Sequence, residues 1–446
     1  MDAEIKPQFS DADLRQLIIP LVLEQFLMTV ISLCNSLLVT HVGETAMSGV
    51  SLAESALLLL TYTFSALATG GAIVVGQRLG RGEINEAKQA GQQLIFFTGA
   101  LVVAITLICF YGRYPLLTGL FGKTETEVFD YAMTYYVVAL FSVPFYAVYC
   151  ACAALFRIMG AARITMWVSL LMAALNLAGN ILLIFVANMG VLGVAVSSIV
   201  SRVTVALIML VLLRRPGICL RIDSFDIRPD YPTIRKIIRY AVPNSFDNAM
   251  FQMGRLLLVS MVSPLGTAAV SANAIASTVT SFHCIAGTAI GQAMVTVVSR
   301  CAGMNDKRQV RHYTKKLLGY TYLCMGVTAS IILLLLPRIL SVYDVSVETV
   351  NYAQKVIWIH CGLGIVLWPS SFTLPQALRA VGDMRFVTIV SMACMWLIRV
   401  GFAGVAVRYF GGTVVTVWLI MAGDWFVRTF CYSLRFYRNK WQAHLN

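Results

Sequence analysis

The sequence predicts an all-α protein that spans a membrane about twelve times, in two six-helix lobes related by a parallel internal repeat. Composition is the first observation behind this prediction. Apolar residues make up 59% of the chain and charged residues 12%, against roughly 45–50% and about 25% in soluble domains. So few charges indicate a polytopic membrane protein. The spacing of the apolar segments and an internal duplication are the other two observations.

The helices are predicted from about twelve segments of roughly 20 apolar residues, each long enough to cross a hydrocarbon core of about 30 Å. Small residues such as Gly70 and Gly71, at the end of the second helix, and Gly287, in the eighth, indicate close helix packing. The approximate cores are Leu14–Thr40, Ala46–Ala68, Gly91–Tyr111, Tyr131–Ala153, Ile164–Ala187, Val191–Leu213, Ile237–Val262, Ala269–Ser299, Leu317–Pro337, Tyr352–Leu374, Phe386–Val407 and Val414–Arg435.

The two halves of the chain repeat each other at an ungapped step of 223 residues. The matched pairs are Pro20 with Pro243, Glu24 with Asp247, Gly43 with Gly266, Ser48 with Ser271 and Gly80 with Gly303. Each half has six predicted helices, an even number, so both halves enter the membrane from the same side and the repeat is parallel. We predict lobes over 1–213 and 237–446, joined by a polar, basic linker over 214–236.

The distribution of basic residues predicts the orientation. Roughly 26 of the 34 lysines and arginines fall on one side of the predicted helices and only about five on the other. By the positive-inside rule the basic side is cytoplasmic, so we expect both termini in the cytoplasm of a multi-pass plasma-membrane protein. This sorting explains the net charge of +13 without a nucleic-acid partner. Residues 1–16 are polar and unlike a signal peptide.

The eleven cysteines form no paired framework and no CxxC metal spacing. Most lie inside predicted helices, where we interpret them as small packing residues. His283, in the eighth predicted helix, can titrate near neutrality but is interpreted as a packing residue. We expect no cofactor and no metal site, apart from the sodium position described below.

Short motifs, in order along the chain, resemble the multidrug and toxic compound extrusion (MATE) family. They read LATGGA at 67–72, GQRLG at 76–80, LFRIMG at 155–160, SANAIA at 271–276, IGQAM at 290–294 and ALRAVG at 377–382. The resemblance covers nearly the whole chain. It implies twelve helices around a central cavity and export of amphipathic, often cationic, small molecules by alternating access, in exchange for protons or sodium ions. We expect a monomer in the bilayer.

Three acidic residues inside predicted helices are candidate coupling residues, because an ionisable group in a bilayer is costly and usually functional. Glu24 and Asp247 lie at equivalent depth in the first and seventh helices, and the repeat predicts that they face each other. Glu54, in the second helix, matches Ser277 and is not duplicated. Alternatively, Glu24 and Asp247 each cap a neighbouring helix or pair with a buried basic residue, and Glu54 is simply solvated near the outer membrane surface.

Basic residues also lie inside predicted helices. Arg202, Arg255 and Arg399 are expected to pair with acids or backbone carbonyls, and Arg255 is a candidate to meet Glu54 or a polar substrate. Asp424 and Arg428, four residues apart, are predicted to form an ion pair on one helical face.

The first lobe departs from the family pattern. Asn35 stands where many members carry an Asp in helix one, Asn176 and Asn180 replace an Asn-x-x-x-Asp in helix five, and Ser198 replaces a frequent Thr. In the second lobe, Phe251 stands where some sodium-coupled members carry a Glu. A sodium ion can still bind near the four polar side chains of the first lobe, but an asparagine cannot exchange a proton. Either coupling has moved to Glu24, Glu54 or Asp247, or the protein is weakly coupled.

The sequence bears on two other functions, a flippase and an enzyme. A flippase of the same superfamily, moving a lipid-linked precursor, would use Arg202, Arg255 and Arg399 to bind a pyrophosphate, but acids at similar depth oppose it. An enzyme is not expected, because the chain has no HExxH, no GxSxG and no paired aspartate-rich motif.

Overall fold

The structure is a computed structural model that describes residues 8–39, 44–121, 126–222, 228–343 and 345–445. These residues form α-helices and no β-strand. The helices are α1 Asp11–Val39, α2 Glu44–Gly80, α3 Ile84–Tyr111, α4 Arg113–Phe121, α5 Thr126–Leu140, α6 Val143–Ile158, α7 Ala162–Ile181, α8 Gly190–Leu212, α9 Tyr231–Val262, α10 Thr267–Gly303, α11 Lys307–Ser341, α12 Val347–Trp368, α13 Leu374–Ala380, α14 Met384–Ala393, α15 Ala403–Tyr409 and α16 Val414–Tyr437.

Three π-helical turns continue or join these helices, at Leu182–Val186, Pro369–Thr373 and Cys394–Phe402. A π turn widens the helix by one residue per turn and is frequent at functional sites. The first turn follows α7, the second links α12 to α13, and the third links α14 to α15. Each π turn, together with the helices that it continues or joins, is thus one long apolar element.

Within the described residues, ten helical elements are long and apolar enough to cross a membrane, and the α5–α6 pair makes an eleventh. The remaining long helix, α9, falls outside this count. It carries Arg235, Lys236, Arg239, Asp247 and Arg255, which lower its hydropathy. The predicted all-α polytopic fold is confirmed.

The fourth predicted span is not a single straight helix. α5 ends at Leu140 and α6 begins at Val143, with a bend of 46° between them. Pro144 at the start of α6 lacks a backbone N–H and disfavours helical geometry at the residue before it, so the helix breaks there. Ser142 lies in the break, and its hydroxyl donates to the carbonyl of Ala139 at 2.6 Å.

The chain divides into two compact units, one of Leu23–Ala249 and one of Met1–Val22 with Met250–Asn446. We call them the first unit and the second unit. The divisions fall inside α1 and α9, so each of these helices contributes to both units. Phe9, just before α1, belongs to the second unit, and its backbone exchanges two 2.9 Å hydrogen bonds with the Tyr313 hydroxyl of α11 in the same unit. The lobe boundaries predicted above stay a prediction.

Small residues allow close helix approach in each unit, as predicted. A Cβ placed on Gly70 of α2 would lie 2.8 Å from the Cα of Ala241 in α9. A Cβ on Gly287 of α10 would lie 2.2 Å from the Trp368 ring of α12. Ala68 and Ala72 of α2 are buried in the core of the first unit. Close backbone approach is a common basis of helix association in lipid.

Candidate functional site

The first unit contains a polar network that begins at Glu54 of α2. The Glu54 side chain is exposed on its unit, ten residues into the helix, which is about 15 Å from the helix start. Its carboxylate accepts a hydrogen bond from the hydroxyl of Tyr135 in α5 at 3.2 Å. Tyr135 is itself 3% exposed. An accessible acid is therefore held by a buried phenol.

The network continues from Tyr135 into α7 and α8. The Tyr135 hydroxyl also lies near the Ser198 side chain. Ser198 accepts from the amide nitrogen of Asn176 at 3.2 Å, and Asn180 donates to the Asn176 side-chain oxygen at 3.5 Å. The structure thus brings together four of the predicted site residues, Glu54, Asn176, Asn180 and Ser198. Sequence reasoning missed Tyr135, which joins them.

Arg202 supplies the positive charge of this network. It lies one turn after Ser198 on α8 and close enough to Glu54 for coulombic attraction. Its guanidinium donates to the Ser142 hydroxyl at 2.6 Å and lies 5.0 Å from the centre of the Tyr146 ring. The break between α5 and α6 therefore places Ser142 where it anchors the arginine. The candidate meeting of Arg255 with Glu54 is not needed to balance the acid.

Oxygen atoms dominate the network. The Glu54 carboxylate, the Tyr135 and Ser198 hydroxyls and the asparagine amides are the ligands that hard cations prefer. One carboxylate is also enough to exchange one proton. The site can therefore hold either a proton or a sodium ion. The side chain of Asn35, the fourth residue of the predicted sodium position, lies outside the described residues.

Glu24 has a different environment. It is 5% exposed, and its carboxylate lies 3.9 Å from a guanidinium nitrogen of Arg157. It also accepts from the Thr165 hydroxyl at 3.3 Å. Arg157 lies in the last turn of α6 and Thr165 in the first turn of α7, so Glu24 ties α1 to the α6–α7 connection at the LFRIMG motif. These contacts match the alternative named above, a pair with a buried base, while its coupling role stays a prediction.

The other two predicted residues lie on α9. Asp247 is 5% exposed and belongs to the first unit. One turn before it, Asn244 donates to the carbonyl of Ala66 at 2.6 Å and so fastens α9 to α2. Arg255 is exposed, belongs to the second unit and exerts a coulombic effect on Arg399 and Cys284. The predicted approach of Glu24 to Asp247 stays a prediction.

The second unit contains a buried ionic cluster centred on Asp424 of α16. The predicted Asp424–Arg428 pair is confirmed, with 2.7 Å between the carboxylate and Nε. Arg399, in the π turn after α14, binds the other carboxylate oxygen at 2.5 Å. Asp424 is fully buried, and the two arginines are 4% exposed or less. Arg399 is therefore paired with an acid, as predicted.

Aromatic rings and a serine complete this cluster. Arg399 and Arg428 lie 5.4 Å and 5.8 Å from the centre of the Phe251 ring, distances typical of cation–π contacts. Arg428 also makes two 2.9 Å hydrogen bonds to Ser391. Because two guanidiniums meet one carboxylate, the cluster carries a net positive charge. Phe251 occupies the position of the absent glutamate and contacts arginines, so this site does not resemble an acidic cation site.

Comparison with known proteins decides the family. The sequence profile named MatE matches residues 20–182 and 243–405. These ranges begin at Pro20 and Pro243, so the two matches reproduce the repeat found in the sequence. The chain belongs to the MatE family. Its members are transporters, not enzymes, so the protein is a multi-span membrane transporter of small molecules and its two-lobe architecture is confirmed. The comparisons do not favour the flippase.

Similar sequences and a solved structure agree with this assignment. The chain is 26% identical over 443 residues to a probable multidrug resistance protein NorM of Thermotoga maritima, covering 96% of this chain and 93% of the relative. It is 23% identical to the uncharacterized transporter YisQ of Bacillus subtilis, covering 99% and 96%. A solved MOP superfamily transporter from Pyrococcus furiosus shares the fold, with a TM-score of 0.89, 18% identity and coverage of 97% and 96%.

Proposed function

We propose that this transporter exports amphipathic organic molecules, cationic ones among them, by alternating access in exchange for a proton or a sodium ion. We further propose that Glu54 is the coupling residue. The observation that carries the proposal is the accessible Glu54 carboxylate, held by Tyr135 at the head of an oxygen-rich network.

Accessibility distinguishes Glu54 from two other acids within the helices. Asp424 is fully buried between two arginines and Glu24 is 5% exposed beside Arg157. A buried carboxylate that is paired with a guanidinium group cannot easily exchange that partner for another cation. Glu54 is exposed, and its described hydrogen-bond partner is a neutral phenol. It can therefore bind an ion and release it within one transport cycle.

Competition for this carboxylate supplies the coupling. When Glu54 binds a proton or a sodium ion, it no longer offers a negative charge to a cationic substrate. When a cationic substrate is bound, the same charge is unavailable to the ion. Two ligands that weaken each other's binding in this way do so reciprocally, and such exclusion is what exchange requires. Arg202 lowers the affinity for either cation and so assists release.

The orientation, the oligomeric state and the cofactor requirement are proposed from the sequence. We propose that both termini and the linker lie in the cytoplasm of the plasma membrane, on the strength of the basic loops. We also propose that the protein acts as a monomer and needs no cofactor besides its coupling ion.

The test uses purified protein in proteoliposomes with an imposed pH or sodium gradient and a fluorescent organic cation. Glu54→Gln should abolish gradient-driven accumulation and reduce exchange by at least about tenfold, since the exchangeable charge is lost. Glu127→Gln is the matched control, because Glu127 is exposed at the start of α5, outside the network. Comparing the two gradients identifies the ion.

The Tyr135→Phe variant provides a second test of the site. It keeps the ring but removes the hydroxyl, so transport should persist with a shifted pH or sodium dependence. If Glu54→Gln transports at the parent rate with the parent dependence on the gradient, Glu54 is not the coupling residue. If the parent accumulates no organic cation under either gradient, the proposed substrate class or coupling is wrong.

A further inference from the structure

A cluster of metal-ligand side chains lies in the second unit, apart from the network around Glu54. His283 and Cys284 are neighbours on α10, and His360 lies on α12. One ligand atom from each residue lies within 4.8 Å of the others. The Cys284 sulfur is 3.8 Å from Nε2 of His360. Two helices therefore direct a thiol and two imidazoles to one point.

The hydrogen bonds of the two histidines favour a ligand at this point. His283 is fully buried and His360 is 5% exposed. Nδ1 of each ring has no hydrogen-bond partner among the described residues. A buried polar atom without a partner is costly, and most native structures contain few of them. A bound cation would give Nδ1 of His283 a partner, and Nε2 of His360, which faces the Cys284 sulfur, is placed to be the second imidazole ligand.

The tautomer of His283 suits metal binding. Its Nε2 lies 3.3 Å from the carbonyl oxygen of Met325, so Nε2 carries the proton and Nδ1 presents a lone pair. Metal-bound histidines usually donate their other ring nitrogen to a carbonyl or a carboxylate in this way. Gly364 leaves space beside the ring, because a Cβ there would lie 3.2 Å from Cε1 of His283.

The surroundings exclude water on one side and leave access on the other. His360 packs against the rings of Trp418 and Trp425, with ring centres 5.6 Å and 5.1 Å away. Cys284 is half-buried, so an ion can reach the sulfur.

We propose that His283, Cys284 and His360 bind a thiophilic d¹⁰ cation, Zn²⁺ or Cu⁺, which ties α10 to α12. Thiolate and imidazole are ligands that these ions accept, whereas alkali and alkaline-earth ions prefer oxygen. Binding forms a metal–sulfur bond and releases the thiol proton to solvent. The equivalent positions in the first half of the chain are Leu60, Thr61 and Val137, which cannot form such a site, so the cluster belongs to one lobe only.

The experiment measures metal affinity of the purified, tag-free full chain in detergent. Zn²⁺ is titrated in competition with a chromogenic chelator, and Cu⁺ is titrated anaerobically against a Cu⁺ chelator. The parent should bind one equivalent of at least one of these ions. Substitution with Co²⁺ should give thiolate-to-metal charge-transfer absorption, which reports a cysteine ligand directly. The bound ion should also raise the unfolding temperature, because it binds the folded state.

Three variants decide the ligand assignment. Cys284→Ser and His360→Gln should each lower the metal affinity by more than about 100-fold. Substitution of residues that only contact the metal ligands typically lowers the affinity by about 10- to 100-fold. Cys301→Ser is the matched control, because Cys301 is a buried cysteine of α10 outside the cluster. It should bind as the parent does. Size-exclusion elution checks folding, and His360→Gln carries the test if Cys284→Ser does not fold.

The proposal fails if the parent binds neither ion in competition with the chelators. It also fails if the folded Cys284→Ser and His360→Gln variants bind with the parent affinity, or if Cys301→Ser loses binding to the same extent as they do. These measurements do not depend on transport, so they are independent of the proposed coupling at Glu54.

Discussion

Removal of the carboxylate of Asp424 gives the most direct test of the ionic cluster in the second unit. Asp424→Asn keeps the size of the side chain but leaves Arg399 and Arg428 without their acid. Arg428 retains its two hydrogen bonds to Ser391. The described ion pair of Arg399 is the one to Asp424, so most of the loss falls on Arg399.

The magnitude follows from the burial of all three groups. Asp424 is fully buried, and Arg399 and Arg428 are 4% and 3% exposed. Breaking a buried ion pair by removing one partner lowers the free energy of unfolding by about 3–5 kcal/mol. Since about 1.4 kcal/mol corresponds to a factor of ten, the ratio of folded to unfolded protein should fall by about two to three and a half powers of ten.

The assay follows unfolding of the purified protein in mixed detergent micelles during a titration with sodium dodecyl sulfate, using tryptophan fluorescence. Asp424→Asn with Arg399→Met should recover most of the lost stability, because the unpaired charge is then absent; such non-additivity is the signature of a direct interaction. Asp11→Asn is the control. It removes an exposed ion pair to Lys316, and exposed pairs contribute little.

Two results would refute this reasoning. One is an Asp424→Asn variant that unfolds at the parent midpoint, which would mean that the guanidiniums find other partners or water. The other is a double variant as unstable as the sum of its single changes, which would mean that Asp424 and Arg399 act independently.

Two further predictions concern packing and topology. Gly70→Ala should lower the free energy of unfolding by about 1–3 kcal/mol, because its Cβ would lie 2.8 Å from backbone atoms of Tyr240 and Ala241. Gly99→Ala is the control, because the nearest atom to its Cβ would be 4.0 Å away, and it should unfold as the parent does. Equal unfolding midpoints for the two variants would contradict the close approach of the helices at Gly70. Cys219, an exposed cysteine of the linker, should react with an impermeant maleimide in inside-out vesicles only, with Cys219→Ser as the control; labelling in intact cells would reverse the orientation.

The repeat and the structure together show that the two lobes have diverged in charge. Asn176 in the first unit corresponds to Arg399 in the second, and Ser201 corresponds to Asp424. Equivalent positions therefore hold an amide and a hydroxyl in one lobe and a buried ion pair in the other. A neutral position can change partners during a transport cycle at little energetic cost, whereas a buried ion pair cannot. We expect the moving contacts in the first lobe.

The sequence by itself determined the class of protein. Apolar length and basic loops can be read from the chain in order, because the bilayer imposes them on each helix separately. The step of 223 residues can be read in the same way, because it is a duplication within the sequence. These features predicted the helical fold and the repeat, and the short motifs along the chain indicated the family. The pairing of Asp424 with Arg428 was also predictable, because residues four apart share one face of a helix.

Only the tertiary structure decided which helix faces meet. It brought Tyr135 to Glu54 and Ser198, it added Arg399 to the Asp424 pair, and it placed Cys284 beside His360, which is 76 positions away in the chain. Breaks also mattered, because the bend at Ser142 and the π turn that carries Arg399 re-aim the side chains that follow. In a nearly uniform apolar sequence, rotation of each helix about its axis leaves no periodic signal, so contacts between distant helices depend on packing.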